Sequence, residues 1–278
     1  MTLTEGGLLG IQSAQIKHFE VFMSTRSVEL NIAAGIARIT LSNAQNHNCI
    51  DLEFTRELAA AATKCAADAG VRVILLAAKG DVFCVGGDIK DFIANKHRSR
   101  EHLLEMASGL HVAITHLRNA SAPVILALNG TAAGAGFSLV CGADFVIAKR
   151  SAKLNSAYTR SGLTPDGGGT FFLPRIVGIR KAFDLLATST TLSADQALEL
   201  GIVSRVVDDV DFDTEVEKQA RAFADAIPEA MSGLKALLNS SMSATLEQQL
   251  AAEANSIAKL SANPATLERL EAFLSKNK

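Results

Sequence analysis

Asn129-Gly130-Thr131-Ala132-Ala133-Gly134-Ala135-Gly136-Phe137-Ser138 follows directly on the apolar run 122–128. The run is short and apolar, as expected of a strand buried on both faces. The glycines after it let the chain turn tightly and let backbone N–H groups come close to a ligand. Helix-forming sequence then resumes, so a helix N-terminus should follow, with unpaired N–H groups and the positive end of its dipole. Two more segments share this plan. One is Asp81-Val82-Phe83-Cys84-Val85-Gly86-Gly87-Asp88-Ile89-Lys90, and the other is Leu163-Thr164-Pro165-Asp166-Gly167-Gly168-Gly169-Thr170. Alone, each reads as a turn and a cap. Together they predict amides that converge on one point, as in an oxyanion hole.

Outward from these segments, strand and helix signals alternate. Residues 28–31 and 36–41 read as a hairpin joined through Ala33-Ala34-Gly35. Residues 52–67 have helical spacing and are stopped by Gly70. Further strands are expected at 71–77, 122–128, 144–148, 153–154 and 203–207, and helices at 101–118, 179–187 and 193–200. From 212 to the end the sequence is nearly all helix former, broken at Pro228 and Pro264. The expected fold class is α/β with parallel strands and crossovers. Its expected parts are an N-terminal arm over 1–26, an α/β core over 27–207 and a helical C-terminal region over 208–278.

Composition narrows the function. With 278 residues, 48% hydrophobic, the chain can bury a large core. Its 27 basic and 29 acidic residues give a net charge of -2, so no basic excess draws it to nucleic acid. One tyrosine and no tryptophan leave little for base stacking. The basic cluster Lys96-His97-Arg98-Ser99-Arg100 reads as a solvated helix face. Cys49, Cys65, Cys84 and Cys141 include no C-x-x-C pair, and the six histidines form no ligand pattern, so no metal site is expected. Reduced thiols, no signal-peptide core and no membrane-length apolar run point to a soluble cytoplasmic protein without a membrane partner.

Gly130-x-x-x-Gly134-x-Gly136 also resembles the phosphate loop of short-chain dehydrogenases. However, it sits near mid-chain, no Tyr-x-x-x-Lys follows, and no strand with a terminal acid comes about 20 residues on. The three segments together resemble the crotonase (enoyl-CoA hydratase/isomerase) superfamily. The likeness rests on Phe83-x-x-Gly86-x-Asp88-Ile89, Asn129-Gly130-x-x-x-Gly134-x-Gly136, Pro165-x-x-Gly168-Gly169-Thr170, Leu173-Pro174-Arg175-x-x-Gly178 and Ala197-x-x-x-Gly201-Ile202-Val203. It implies a crotonase-like spiral of ββα units with a helical C-terminal trimerisation region, a homotrimer or homohexamer, and an acyl-CoA thioester as substrate. No separate cofactor is implied, because coenzyme A is part of the substrate. The oxyanion amides would be those of Gly87 and Ala135. Substrate contacts would come from Asn48, Asp88, Ile89, Lys90, Phe137, Ser138 and Tyr158, and from a neighbour's Phe273 and Lys276. Where the family has a lysine before Asn48, this chain has Asn46.

The chain departs from a hydratase at two positions. Hydratases of this family use two glutamates, and the corresponding residues here are Ser138 and Tyr158. Neither hydroxyl is a good base at neutral pH. One carboxylate remains nearby, Asp166. Isomerases resembling those of phenylacetate breakdown carry an Asp there, and so do chlorobenzoyl-CoA dehalogenases, which have Phe where this chain has Gly87. Two roles for Asp166 stay open, a general base and a cap for the following helix. The expectation is an enoyl-CoA double-bond isomerase that stabilises a thioester enolate. The alternatives are a hydratase or thioester hydrolase using Asp166, or a non-catalytic acyl-CoA-binding paralogue.

Overall fold

The computed structural model describes residues 27–276; the expected N-terminal arm, 1–26, lies outside them. Among the described residues ten strands form two sheets. Strands β1 (Val28–Ala33) and β2 (Ile36–Leu41) are an antiparallel hairpin, and β2 pairs in parallel with β3 (Val73–Ala78). β3 continues in parallel to β5 (Val124–Leu128), β7 (Phe145–Lys149) and β10 (Arg205–Val207), giving the order β1-β2-β3-β5-β7-β10. The second sheet is built from short strands: β4 (Val82–Cys84), β6 (Thr131–Ala133), β8 (Lys153–Asn155) and β9 (Leu192–Ser193), in the order β4-β6-β8-β9. β3/β4, β5/β6 and β7/β8 each give one strand to each sheet before the chain enters a helix. This is the repeating ββα turn of the spiral.

The central strands of the large sheet, β3 and β5, are buried on both faces, as their continuous apolar sequence requires. Side chains alternate across it with period two. Ile74, Leu76, Leu126 and Val146 join one core cluster, while Val73, Leu75, Ile125 and Ile147 join another. Helix α1 (Leu52–Ala67) covers the first face. Asp51 caps it by accepting from the Phe54 amide at 2.8 Å, and Phe54, Leu58, Ala61, Ala62 and Cys65 are buried. After α2 (Ile89–Ala94), the long α3 (Ser99–Asn119) packs against α1. α4 (Ala135–Gly142), α5 (Gly169–Val177), α6 (Ile179–Thr188) and α7 (Ala194–Glu199) follow.

The second face is covered by α8 (Phe212–Ala224), which buries Phe212, Val216, Ala220 and Ala224 at a spacing of four. α9 (Pro228–Ser241), α10 (Leu246–Ser261) and α11 (Pro264–Lys276) complete the helical end. Buried Lys235 fastens α9 to the core: its Nζ reaches the carbonyls of Leu117 (2.8 Å) and Ala122 (3.0 Å) and Asp144 Oδ2 (2.8 Å). Among the described residues no helix is long and apolar enough to cross a membrane, and no group of three or more His, Cys, Asp or Glu could hold a metal ion.

Candidate active site

The small sheet brings the three glycine segments together. β4 ends at Cys84, and the chain turns at Gly86, whose φ is +88°. A Cβ there would stand 3.0 Å from the Ala133 carbonyl and 3.2 Å from the Ala135 amide, so the first two segments are in backbone contact. Gly134, with φ +54° and ψ -126°, turns the chain from β6 into α4 in a conformation open to glycine alone. Gly136 lies against β4, where a Cβ would meet the Cys84 carbonyl at 2.3 Å. Ala135 is therefore the first residue of α4 and its amide has no helical acceptor. Neither its N–H nor that of Gly87 donates to any acceptor among the described residues. On either side of Gly87, the chain is pinned to Ile50: the Ile50 amide donates to Gly86 O (2.8 Å) and the Asp88 amide donates to Ile50 O (2.9 Å).

The third segment packs on the same helix. Ser138, one turn beyond Ala135, donates its hydroxyl to the Asp166 carbonyl at 2.8 Å. Three residues rise about 4.5 Å along the axis, so the loop of Asp166 sits close to the Ala135 amide. Gly167 rests on Ser138, Leu110 and Ile114. The Tyr158 hydroxyl donates a short hydrogen bond to Asp166 Oδ1. Burial pushes the Tyr158 phenol above its ordinary pKa, and the Asp166 charge and hydrogen bond push it further, so it stays protonated as a donor. Asp166 Oδ2 has no hydrogen-bond partner among the described residues.

The capping role left open for Asp166 is not observed. α5 is capped by Gly168 without a side-chain hydrogen bond, and only the Asp166 backbone carbonyl serves the helix start, accepting from Gly169 N at 3.1 Å.

The residues expected to contact substrate take the following places. Asn48 is fully buried and its Nδ2 donates to the carbonyls of Lys79 (3.1 Å) and Val82 (2.9 Å), so it staples the loop behind the site. Phe137 is 2% exposed and belongs to the core. Ser138 is 1% exposed and clamps the Asp166 loop. The Tyr158 hydroxyl is committed to Asp166. Asp88 is the N-cap of α2, accepting from Lys90 N at 2.8 Å, and also accepts from Asn46 at 2.8 Å. Burial raises its carboxyl pKa, but the hydrogen bonds from Asn46 and from the Asp91 and Lys90 amides outweigh this and hold it below the usual value. Ile89 and Lys90 stand exposed at the mouth of the site. Phe273 is exposed on α11, while the side chain of Lys276 lies outside the described residues.

His111 was not anticipated. Its Nε2 accepts from the Gly167 amide at 3.2 Å, next to Asp166. Leu110 and Ile114, its neighbours on α3, pack on the same glycine. Their helical spacing was visible in the sequence, but their partner was not.

Residues 31–278 match the family described as Enoyl-CoA hydratase/isomerase. The chain belongs to this family. A probable enoyl-CoA hydratase of Rhodobacter capsulatus is 35% identical over 254 residues, covering 91% of this chain and 97% of that one. A 1,2-epoxyphenylacetyl-CoA isomerase of Escherichia coli is 34% identical, covering 79% and 84%. The crystal structure of an enoyl-CoA hydratase from Polaromonas sp. JS666 superposes with a TM-score of 0.84 at 32% identity, covering 90% of this chain and 97% of that one. The spiral is thus the crotonase fold of the hydratase/isomerase family, and its helical C-terminal region belongs to that fold.

Proposed function

We propose that this member of the family moves a double bond in an enoyl-CoA, with Asp166 as the proton carrier. The observation that carries the reading is the surroundings of that carboxylate. Ser138 and Tyr158 stand where the hydratase pattern expects glutamates, and both are bonded to Asp166. Water addition by paired carboxylates therefore has no acid/base pair, whereas a single carboxylate suffices for a proton shuttle. The thioester carbonyl would accept from the Gly87 and Ala135 amides, acidifying a proton at the α or γ carbon. Asp166 Oδ2 takes that proton and returns it to the other carbon. No atoms are gained or lost, and no cofactor beyond the substrate's coenzyme A is needed.

The test is a panel of 2-enoyl-, 3-enoyl- and arylacetyl-CoA esters with product identification, run on wild type and Asp166→Asn. Interconversion of 2- and 3-enoyl esters, lost about 10²-fold or more in the variant, supports the shuttle. Turnover equal in the two proteins removes Asp166 from the mechanism. A second reading, hydrolysis with Asp166 as nucleophile, is favoured by His111 alone, whose imidazole holds the Gly167 amide next to Asp166. Free acid as the product would decide for it. For assembly, exposed Leu238, Leu250, Ile257 and Leu270 on the C-terminal helices favour a homotrimer or homohexamer, to be read from the mass in solution.

A further inference from the structure

Helix α2 stands beside the Gly87 donor and carries a buried polar contact that proton transfer by Asp166 does not use. His102, on α3, is 3% exposed, and its Nε2 lies 2.5 Å from Asp91 Oδ2. An ionised carboxylate only accepts, so the imidazole donates. The other Asp91 oxygen and the Asp91 carbonyl both accept from the Asn95 side-chain amide, each at 2.9 Å. Asp91 is thus tied to its own helix and to α3. The next residue is Phe92. Its Cζ stands 2.3 Å, and its Cε2 2.9 Å, from the point a Cβ on Gly87 would occupy. The ring fills the side-chain volume that Gly87 leaves empty, against the backbone that presents the donor.

We propose that the His102–Asp91 pair is a latch that seats Phe92 on the Gly87 oxyanion donor, which makes His102, Asp91 and Phe92 positioning residues for the thioester carbonyl. The inference rests on the enolate reading above. A helix of six residues is marginal by itself, so an outside tether decides where it sits. A hydrogen bond to a charged group is about twice as strong as a neutral one. An oxyanion donor stabilises charge only when it is fixed in direction and screened from water, and the seated ring serves both needs.

The test uses 4-(dimethylamino)cinnamoyl-CoA, an enoyl thioester whose absorption moves to the red when its carbonyl accepts strong hydrogen bonds. The background is Asp166→Asn, so that no turnover intervenes. The red shift is expected there, and is expected to be largely lost when His102→Ala or Phe92→Leu is added, while the ester still binds. His102→Gln, which offers an amide donor near the position of Nε2, is expected to restore it. In otherwise wild-type protein His102→Ala should lower kcat by about tenfold to a hundredfold with KM nearly unchanged. If His102→Ala does not fold, Phe92→Leu decides by the same readout. An undiminished red shift and kcat in the folded variants overturn the latch and leave the enolate reading standing. A missing red shift in Asp166→Asn alone overturns the oxyanion reading itself.

Discussion

Replacing Tyr158 by Phe removes one oxygen and tests whether Asp166 is held for catalysis. The phenol donates to Oδ1 of a carboxylate whose loop is clamped by Ser138. A hydrogen bond to a charged group contributes about 1.5–3 kcal/mol to stability. If the bond holds Asp166 in the reacting position more firmly in the transition state than in the ground state, its loss lowers kcat by about tenfold to a hundredfold, at about 1.4 kcal/mol per decade. Binding of the CoA ester should change little. The pH dependence gives an independent check. The folded pKa of Tyr158 is raised above its ordinary value of 10.0, first by burial and then by the Asp166 charge. Its contribution is therefore complete below the unfolded value, and falls away as pH rises beyond about 10. Urea unfolding of wild type and Tyr158→Phe should show a constant stability gap from about pH 7 to 9 that narrows above about pH 10. Wild-type turnover in the variant, or a gap that ignores pH, refutes the reasoning.

Two further substitutions probe the scaffold. Gly136→Ala would place a Cβ 2.3 Å from the Cys84 carbonyl, a backbone atom that cannot swing aside, so the first turn of α4 must move. Turnover should fall about 10²–10³-fold, as for the loss of one oxyanion donor, with a smaller change in ester affinity measured by titration calorimetry. Lys235→Met leaves the partly buried Asp144 carboxylate without its cation, with only the Val124 amide at 2.8 Å still donating to it, and takes a donor from the carbonyls of Leu117 and Ala122. It should cost about 3–5 kcal/mol in urea unfolding, part of it recovered by adding Asp144→Leu.

Long periodic elements were legible in the sequence. The expected helix over 52–67 is observed as Leu52–Ala67, because an Asp cap and an apolar stripe agree on it. The hairpin was legible from its turn, and the close approach of the glycine segments from their glycines. The short strands β4, β6 and β9 were not, since two or three residues show no period and are defined by their partners. A helix after the third glycine segment was expected, but its extent was not, because α5 begins at Gly169 and contains Pro174, both poor helix signals. Side-chain roles were the least legible. Asn48, Phe137 and Ser138 lie beside the right backbone, but which way each points is set by tertiary contacts such as those of Lys79, Val82 and Asp166.

The glycines and the carboxylate are coupled through α4, and this limits how the site can vary. Ala135 and Ser138 are one helical turn apart on the same face. The first residue offers an amide at the helix start and the second holds the Asp166 carbonyl. A Cβ on Gly169 would stand 2.7 Å from the Ser138 hydroxyl, so the loop lies directly on it. A glutamate at position 138 would bring a longer, charged side chain into that contact and displace the loop. A carboxylate at 138 and an Asp166 in its present place are therefore mutually exclusive in this packing. Ser138→Glu, made to restore the hydratase pattern, should lose the proposed isomerase turnover without gaining hydration, because Asp166 would leave its position before the new carboxylate found a partner. Hydration gained at no loss of isomerisation would show that the two arrangements can coexist, and that position 138 does not decide between them.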